Sequence, residues 1–369
     1  MIAFMNRKPT SQLRRGWTTG ACAAAAARAA FRALHTGAFD ATVSLRLPRG
    51  ETPVFPLVQT SLERDAEGLF SIAGVVKDAG DDPDVTHGVT VLAIVRLGAP
   101  RKGVTFHAGE GVGTITKPGL PLPPGEPAIN PAPRAMIAQA VTEVADELGV
   151  SGDADITISI PGGAAIAEHT WNPRLGILGG LSVLGTTGIV IPYSCSAWIH
   201  SIHRGVDVAR KTGITHIAGA TGKTSEAAVK ALYALDDGAL IDMGDFAGGL
   251  LKYLRRHPTP RLTIAGGFAK LTKLAQGELD LHSSRSQVDF ERLAHLAKNL
   301  APALSEDVIK KIQIANTAAE VLTLTEGINV PDVIAAQARA VALATLSGGV
   351  VVDVLVVDRK GERIGYAGP

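Results

Sequence analysis

The run Gly219-Ala220-Thr221-Gly222-Lys223-Thr224 carries the sharpest chemical signature in the chain. Gly-Lys-Thr is how a phosphate-binding loop ends. That loop also needs a glycine five residues before its Gly-Lys pair, so that backbone amides can wrap the phosphates. Ile217 stands at that position, so an ATP-hydrolysing cradle is not expected, and a glycine-rich turn opening a helix is the plainer reading. Asp242 adds to it, lying 23 residues beyond Gly219 at the end of the next expected strand. An acid so placed commonly accepts hydrogen bonds from a ribose. Nicotinamide dinucleotides and S-adenosylmethionine both carry one. Residues 219–224 give GxxG and not GxGxxG, which favours a ligand without a pyrophosphate. S-adenosylmethionine has none, and its sulfonium would gain from Asp242 and Asp245. The competing reading of Asp242 is a solvated acid beside a helix.

Other constellations are weaker. His200 and His203 would share one helix face with Cys195 upstream, but a metal site needs a third ligand and none is evident locally. No protein-bound metal is expected. No GxSxG elbow appears, so a Ser-His-Asp hydrolase finds no support. Cations recur in glycine and proline loops: Arg14, Arg15, Lys117, Arg134, Arg174, Lys270, Lys273 and Arg285. Scattered, they are solvated surface; gathered in one cleft, they suit a substrate with several carboxylates.

These residues need elements to hold them. From Ile214 three strand–glycine–helix units follow: Ile214–Ala218 then Gly219 and Gly222; Ala239–Met243 then Gly244 and Asp245; Arg261–Ala265 then Gly266 and Gly267. That rhythm predicts a parallel sheet with crossover helices, which binds ligands at the carboxyl ends of its strands. The tail reads as helical until the β-branched run 349–358. Upstream, the alanine-rich segment from Thr18-Thr19-Gly20 predicts a helix. Short strand-like runs follow at 41–47, 53–58, 69–77, 89–97 and 103–107. Residues 117–133 hold seven prolines, read as an ordered site loop. Ile137, Val141, Val144 and Leu148 then mark one face of an amphipathic helix. The expected architecture is α/β and α+β in two domains. Residues 1–190 would form a mixed α+β substrate domain with antiparallel strands, and 191–369 a Rossmann-like parallel α/β domain for S-adenosylmethionine.

Composition narrows the classes. Lys+Arg 36 against Asp+Glu 35 leaves +1, and aromatics are only 4%. Neither a nucleic-acid footprint nor stacking platforms are expected. Residues 175–202 lack any charged Asp, Glu, Lys or Arg, yet their glycines and threonines read as loops and a short strand, not a membrane span. Two cysteines and no apolar N-terminal core point to a cytoplasmic protein.

Four blocks, LRRGWTTGACAAAAARAA (13–30), GVGTITKPGLPLPPGEPAINPAPR (111–134), ISIPGG (158–163) and NPRLGILGGLSVLGTTGIV (172–190), resemble the cobalt-precorrin-5B C(1)-methyltransferase family of cobalamin biosynthesis. The resemblance implies methyl transfer from S-adenosylmethionine to C1 of an acidic tetrapyrrole. It further implies a cofactor crevice of Gly219, Thr221, Gly222, Asp242, Gly244, Asp245, Gly266 and Gly267. Thr18, Thr19, Lys117, Asn130, Arg174, Thr186 and Thr187 would hold the macrocycle. His282 is a candidate base, with a helix-end histidine as the alternative. GATGKTSE (219–226) stands where many members carry a GNYG-type loop, and GGFAKLTKLA (266–275) where they carry GHxGKLxKLA. A nucleotide-dependent enzyme and a non-catalytic corrinoid-binding protein stay open as alternatives.

Overall fold

The computed structural model describes residues 13–369, so the reading of the extreme N-terminus lies outside the described residues in all but its last few positions. The chain is mixed α/β and divides into two compact units, one running to Ser194 and the other Cys195–Pro369.

The N-terminal unit is built on helix α1, Thr19–Thr36. Ala21 to Ala27 are all fully buried. A helix buried on every side cannot be amphipathic, and alanine lets a sheet and a second helix approach it closely. Thr18 caps it by accepting from Ala21 N–H at 3.1 Å, and Gly37 ends it in the left-handed region. The sheet comprises β1 (Gln59–Asp65), β2 (Gly68–Val76), β3 (Thr90–Leu97), β4 (Val104–Ala108) and β5 (Ala154–Ser159), in spatial order β1-β2-β3-β5-β4. All pairs are antiparallel except β4 with β5. Helix α2, Pro131–Leu148, packs on α1 through Ile137, Val141 and Val144, as its spacing predicts; Leu148 is half-buried. Strands β1 and β5 add to the expected set. The first, QTSLERD, is polar on both faces and mostly exposed, so it shows no alternation to read.

The C-terminal unit contains α3 (Cys195–Lys211), β6 (His216–Ala220), α4 (Lys223–Tyr233), β7 (Leu240–Asp242), α5 (Ala247–Leu254), β8 (Arg261–Gly267) and α6 (Phe268–Ala275). Four helices follow, α7 (Phe290–Leu300), α8 (Glu306–Gln313), α9 (Ala318–Leu324) and α10 (Val330–Leu346), then β9 (Val351–Val357) and β10 (Arg363–Ala367). The sheet order is β7-β6-β8-β9-β10, parallel until the last, antiparallel strand. β6 extends two residues past its expected end and absorbs Gly219. A side chain there would meet Leu250 at 2.4 Å, so this glycine serves packing under α5 and is not a loop residue. Gly266 and Gly267 likewise end β8 within the ladder.

No described helix is long and apolar enough to cross a membrane. Within 175–202, Ile177–Leu178 pairs with Thr114–Ile115, Ile189–Val190 pairs with Gly16–Trp17, and α3 begins at Cys195. The proline-rich segment is ordered: Ala128 and Ile129 are buried. Arg134 clamps it by donating to Ile129 O and Glu126, both at 2.8 Å.

Candidate functional site

Where β6, β7 and β8 end, their loops are tied together. Thr221 N–H donates to Ala265 O at 2.9 Å and Met243 N–H to Ala220 O at 3.0 Å. Lys270, on the first turn of α6, donates to Thr221 O at 2.9 Å and lies 3.0 Å from the Asp245 carboxylate. That second contact is an ion pair without hydrogen-bond geometry. It leaves a buried Asp245 Oδ1 with no hydrogen-bond partner. Thr221 is buried, and a side chain on Gly266 would stand 2.9 Å from it, so glycine is what lets these two tips touch. Gly244 takes φ +52 and donates to Asp242 Oδ1 at 3.2 Å. Thr221, Asp242, Gly244, Asp245, Gly266 and Gly267 thus occupy one group of strand ends.

The neighbouring loop joins them. Leu281 N–H donates to Asp245 O at 2.8 Å, and buried Lys273 donates to Leu281 O at 2.9 Å. Burial holds the Lys273 ammonium below its usual range, assisted by Lys270 and opposed by Asp245. His282 follows Leu281. Its Nδ1 accepts from Ser284 N–H at 3.2 Å and contacts Ser284 Oγ at 2.8 Å. In the neutral ring that arrangement places the proton on Nε2, the tautomer of a donor and not of a base. Arg285 pairs with Asp280 at 3.2 Å.

The nucleotide-cradle reading finds no geometry to support it. Ile217 is a fully buried strand residue, and only Thr221 and Gly222 separate β6 from α4. Lys223 is exposed at the head of α4. His203 is stacked on Tyr253 at 3.9 Å, with His200 6.3 Å from His203.

In the N-terminal unit the expected substrate residues fall into two groups. Thr18, Thr19 and Asn130 meet the 183–188 loop that carries Thr186 and Thr187. Thr18 N–H donates to Gly188 O at 2.9 Å, and Asn130 N–H to Val183 O at 3.0 Å. Thr19 Oγ1 accepts from Leu184 N–H at 3.1 Å. Both Thr18 and Thr19 are buried. Gly20 N–H is spent on Leu184 O, and prolines open α2 at residues 131 and 133. Neither helix start offers the fan of open amides that binds an anion. Thr187 Oγ1 accepts from Ile189 N–H, and Thr186 is exposed. The second group is Lys117 and Arg174: the lysine stem covers Gly176 and its ammonium lies 3.5 Å from Arg174 O.

Three features escaped the sequence reading. Trp198 donates through Nε1 to Asp242 O at 3.0 Å and lays its ring 3.4 Å from where a Gly244 Cβ would be. Lys270, singled out only as a cation, turns out to bridge two strand-end loops. In the N-terminal unit, Lys77 is buried against Asp84 and Thr86, Asp78 binds Arg14, and Asp82 accepts from Tyr193 N–H at 2.8 Å. The Arg14 hydrogen bond pulls the Asp78 carboxyl down to about 2. Four aspartates in 78–84 beside a lysine were a legible signal for that loop.

Comparison with known proteins adds the chemistry. The CbiD family model matches residues 6–192, and the model of the CbiD C-terminal domain matches 280–368. Proteins named cobalt-precorrin-5B C(1)-methyltransferase are similar along nearly the whole chain. That of Brucella canis is 59% identical over 361 residues, 96% of each chain. That of Brucella anthropi is 59% identical over 355 residues, 95% of each. A crystal structure of the cobalamin biosynthesis protein CbiD from Archaeoglobus fulgidus is 26% identical, covering 74% of this chain and 83% of that one, with a TM-score of 0.39.

Proposed function

This chain belongs to the CbiD family, and from that membership we infer that it is a methyltransferase acting on C1 of cobalt-precorrin-5B in cobalamin biosynthesis. The observation that carries this is identity of 59% across 96% of the chain to proteins of that name. A methyltransferase needs a methyl donor, and we propose S-adenosylmethionine, bound by the C-terminal unit as a Rossmann-like domain. The supporting features are the parallel β7-β6-β8 order, Asp242 at the end of β7, and a tight turn after β6 with no room for a pyrophosphate cradle. Asp245 already pairs with Lys270 at 3.0 Å through its buried Oδ1, so a sulfonium would share that carboxylate with the lysine, and Asp242 is the acid at these strand ends that fits the donor's ribose. When bound, S-adenosylmethionine supplies an electrophilic methyl on a sulfonium that leaves as a neutral thioether.

The chain's own part is positioning. Holding a carbon nucleophile in line with the methyl can supply about 7–11 kcal/mol of the barrier without covalent catalysis. Asp242 accepts ribose hydroxyls, Asp245 faces the sulfonium charge together with its partner Lys270, and Gly267, with open space where a side chain would stand, lets the donor approach the backbone. We assign the tetrapyrrole to the N-terminal unit. There Lys117 and Arg174 meet carboxylates, while Thr186 and exposed Leu184 and Leu178 offer polar and apolar contact to a flat macrocycle. Thr18, Thr19 and Asn130 shape that loop from beneath. His282 stays adjacent to the donor residues as a candidate for late proton transfer only if its tautomer changes. Two unpaired cysteines agree with a cytoplasmic setting.

The test is incorporation of label from methyl-labelled S-adenosylmethionine into cobalt-precorrin-5B, together with calorimetric binding of the donor and of S-adenosylhomocysteine. We expect stoichiometric labelling and saturable binding of both. Tetrapyrrole binding without donor binding would overturn the enzyme reading in favour of a carrier. ATP binding abolished by Lys223→Ala would overturn it in favour of a nucleotide-dependent enzyme.

A further inference from the structure

Trp198 sits on the first turn of α3, 44 residues before the aspartate whose carbonyl it binds. Its indole N–H completes the backbone acceptor of Asp242 where the β6–β7 ladder has ended. That bond accounts for one edge of the ring. One face rests on Gly244, which lacks the side chain that would otherwise intervene. Even so, 43% of the residue remains exposed, in a protein whose aromatics are scarce. An indole kept partly uncovered beside an acid at a strand end has the makings of a platform for a planar heterocycle.

We propose that Trp198 is the adenine-stacking residue of the donor site, its ring receiving the base while the Asp242 carboxylate holds the adjoining ribose. The assignment rests on the reading of the C-terminal unit as the donor domain. It commits to the base and not the sulfonium, because the ring is fixed to the ribose-binding aspartate. Stacking on the base is blind to the methyl group, so its loss must weaken S-adenosylmethionine and S-adenosylhomocysteine equally. A contact to the sulfonium would weaken only the charged ligand.

Full-length protein and its W198A and W198F variants are titrated calorimetrically with both ligands. In parallel, a W17F/W171F protein, in which Trp198 is the sole indole, is titrated by fluorescence. We expect W198A to lose about tenfold or more in affinity for each ligand alike. W198F, which keeps a ring but not the N–H, should stay within about threefold, and the Trp198 emission should change saturably with S-adenosylhomocysteine. Wild-type affinity in W198A, or unaltered emission at saturating ligand, overturns this proposal and leaves the donor site standing. Loss for S-adenosylmethionine alone overturns stacking on the base. If the unmodified protein binds neither ligand, the donor-domain reading itself fails. Should W198A not fold, the fluorescence titration and W198F decide alone.

Discussion

The two units treat their polar loop residues in opposite ways. In the N-terminal unit, Thr18 caps a helix, Thr19 grips Leu184, Arg134 clamps the proline loop, and Asn172 donates to Gly180 O at 3.1 Å. Those side chains are consumed in building the loops. In the C-terminal unit the backbone does the tying, through strand-to-loop bonds and the Lys270 bridge. Asp245 keeps a buried oxygen without a hydrogen bond, and Trp198 keeps an uncovered surface. A residue chosen for polarity near glycine is often scaffold. A residue chosen because the topology ends a parallel strand there is placed where a ligand can reach it.

The comparison can be broken at several points. Gly185 takes φ +121 with Thr18 filling the space a side chain would need, 2.3 Å from the would-be Cβ. Gly185→Val should therefore cost about 3 kcal/mol or more of stability from overpacking and backbone strain together. An unshifted urea midpoint would show that the loop yields. In the other unit, Asp242→Ala should cost about 1 kcal/mol of stability through the lost Gly244 N–H bond, and weaken S-adenosylhomocysteine by about 1.5–3 kcal/mol, the worth of a charged hydrogen bond. Calorimetry showing unchanged affinity would remove it from the site.

Thr18→Ala sharpens the contrast further. Loss of the cap should cost about 1 kcal/mol in denaturation while leaving tetrapyrrole KM within about twofold. A raised KM with undiminished stability would return Thr18 to substrate binding. The smallest effect concerns acid. Asp78 is held down to about 2, first by the Arg14 hydrogen bond, against an unfolded value of about 3.9. Its contribution is therefore full above about pH 4 and lost as pH falls toward 2. The acid limb of a urea-midpoint profile should flatten in Asp78→Asn, and a superimposable profile would deny the pair any role.

What the sequence disclosed follows from range. Strands β6, β8 and β9 announced themselves by β-branched runs punctuated with glycine, and α2 by a repeating apolar face. β1 did not, being polar on both sides. Gly219 was legible as glycine but not as a strand residue, because the reason for it, Leu250 and Met243 above, lies in later elements. The place of Asp242 at the end of β7 was reachable by counting from the glycine turn, whereas the place of Trp198 beside it was not, since its partner is 44 residues away and no local pattern links them. Lys270 looked like one more loop cation until the fold set it between Thr221 and Asp245. The aspartates of 78–84 stand out in the sequence, but their partners Arg14 and Tyr193 lie far along the chain.

Helix α1 has a consequence of its own. With methyl groups pointing in every direction along Ala21–Ala27 apart from one cysteine, it is nearly a smooth shaft. Interlocking bulk along that stretch does little to fix its rotation or its slide, so that duty passes to its fittings: the threonine collar at one end, the glycine stop at the other, fully buried Phe31, the ion pairs of Arg28 and Arg32 with Glu143 and Glu147 on α2, and the Ser71 hydroxyl that pins Ala30 O at 2.6 Å. Such a rod has no spare clearance for growth and little grip to lose by shrinkage. Enlarging any of those seven positions would push on a close-packed core with no room to yield, whereas loosening one fitting leaves the others to hold the register.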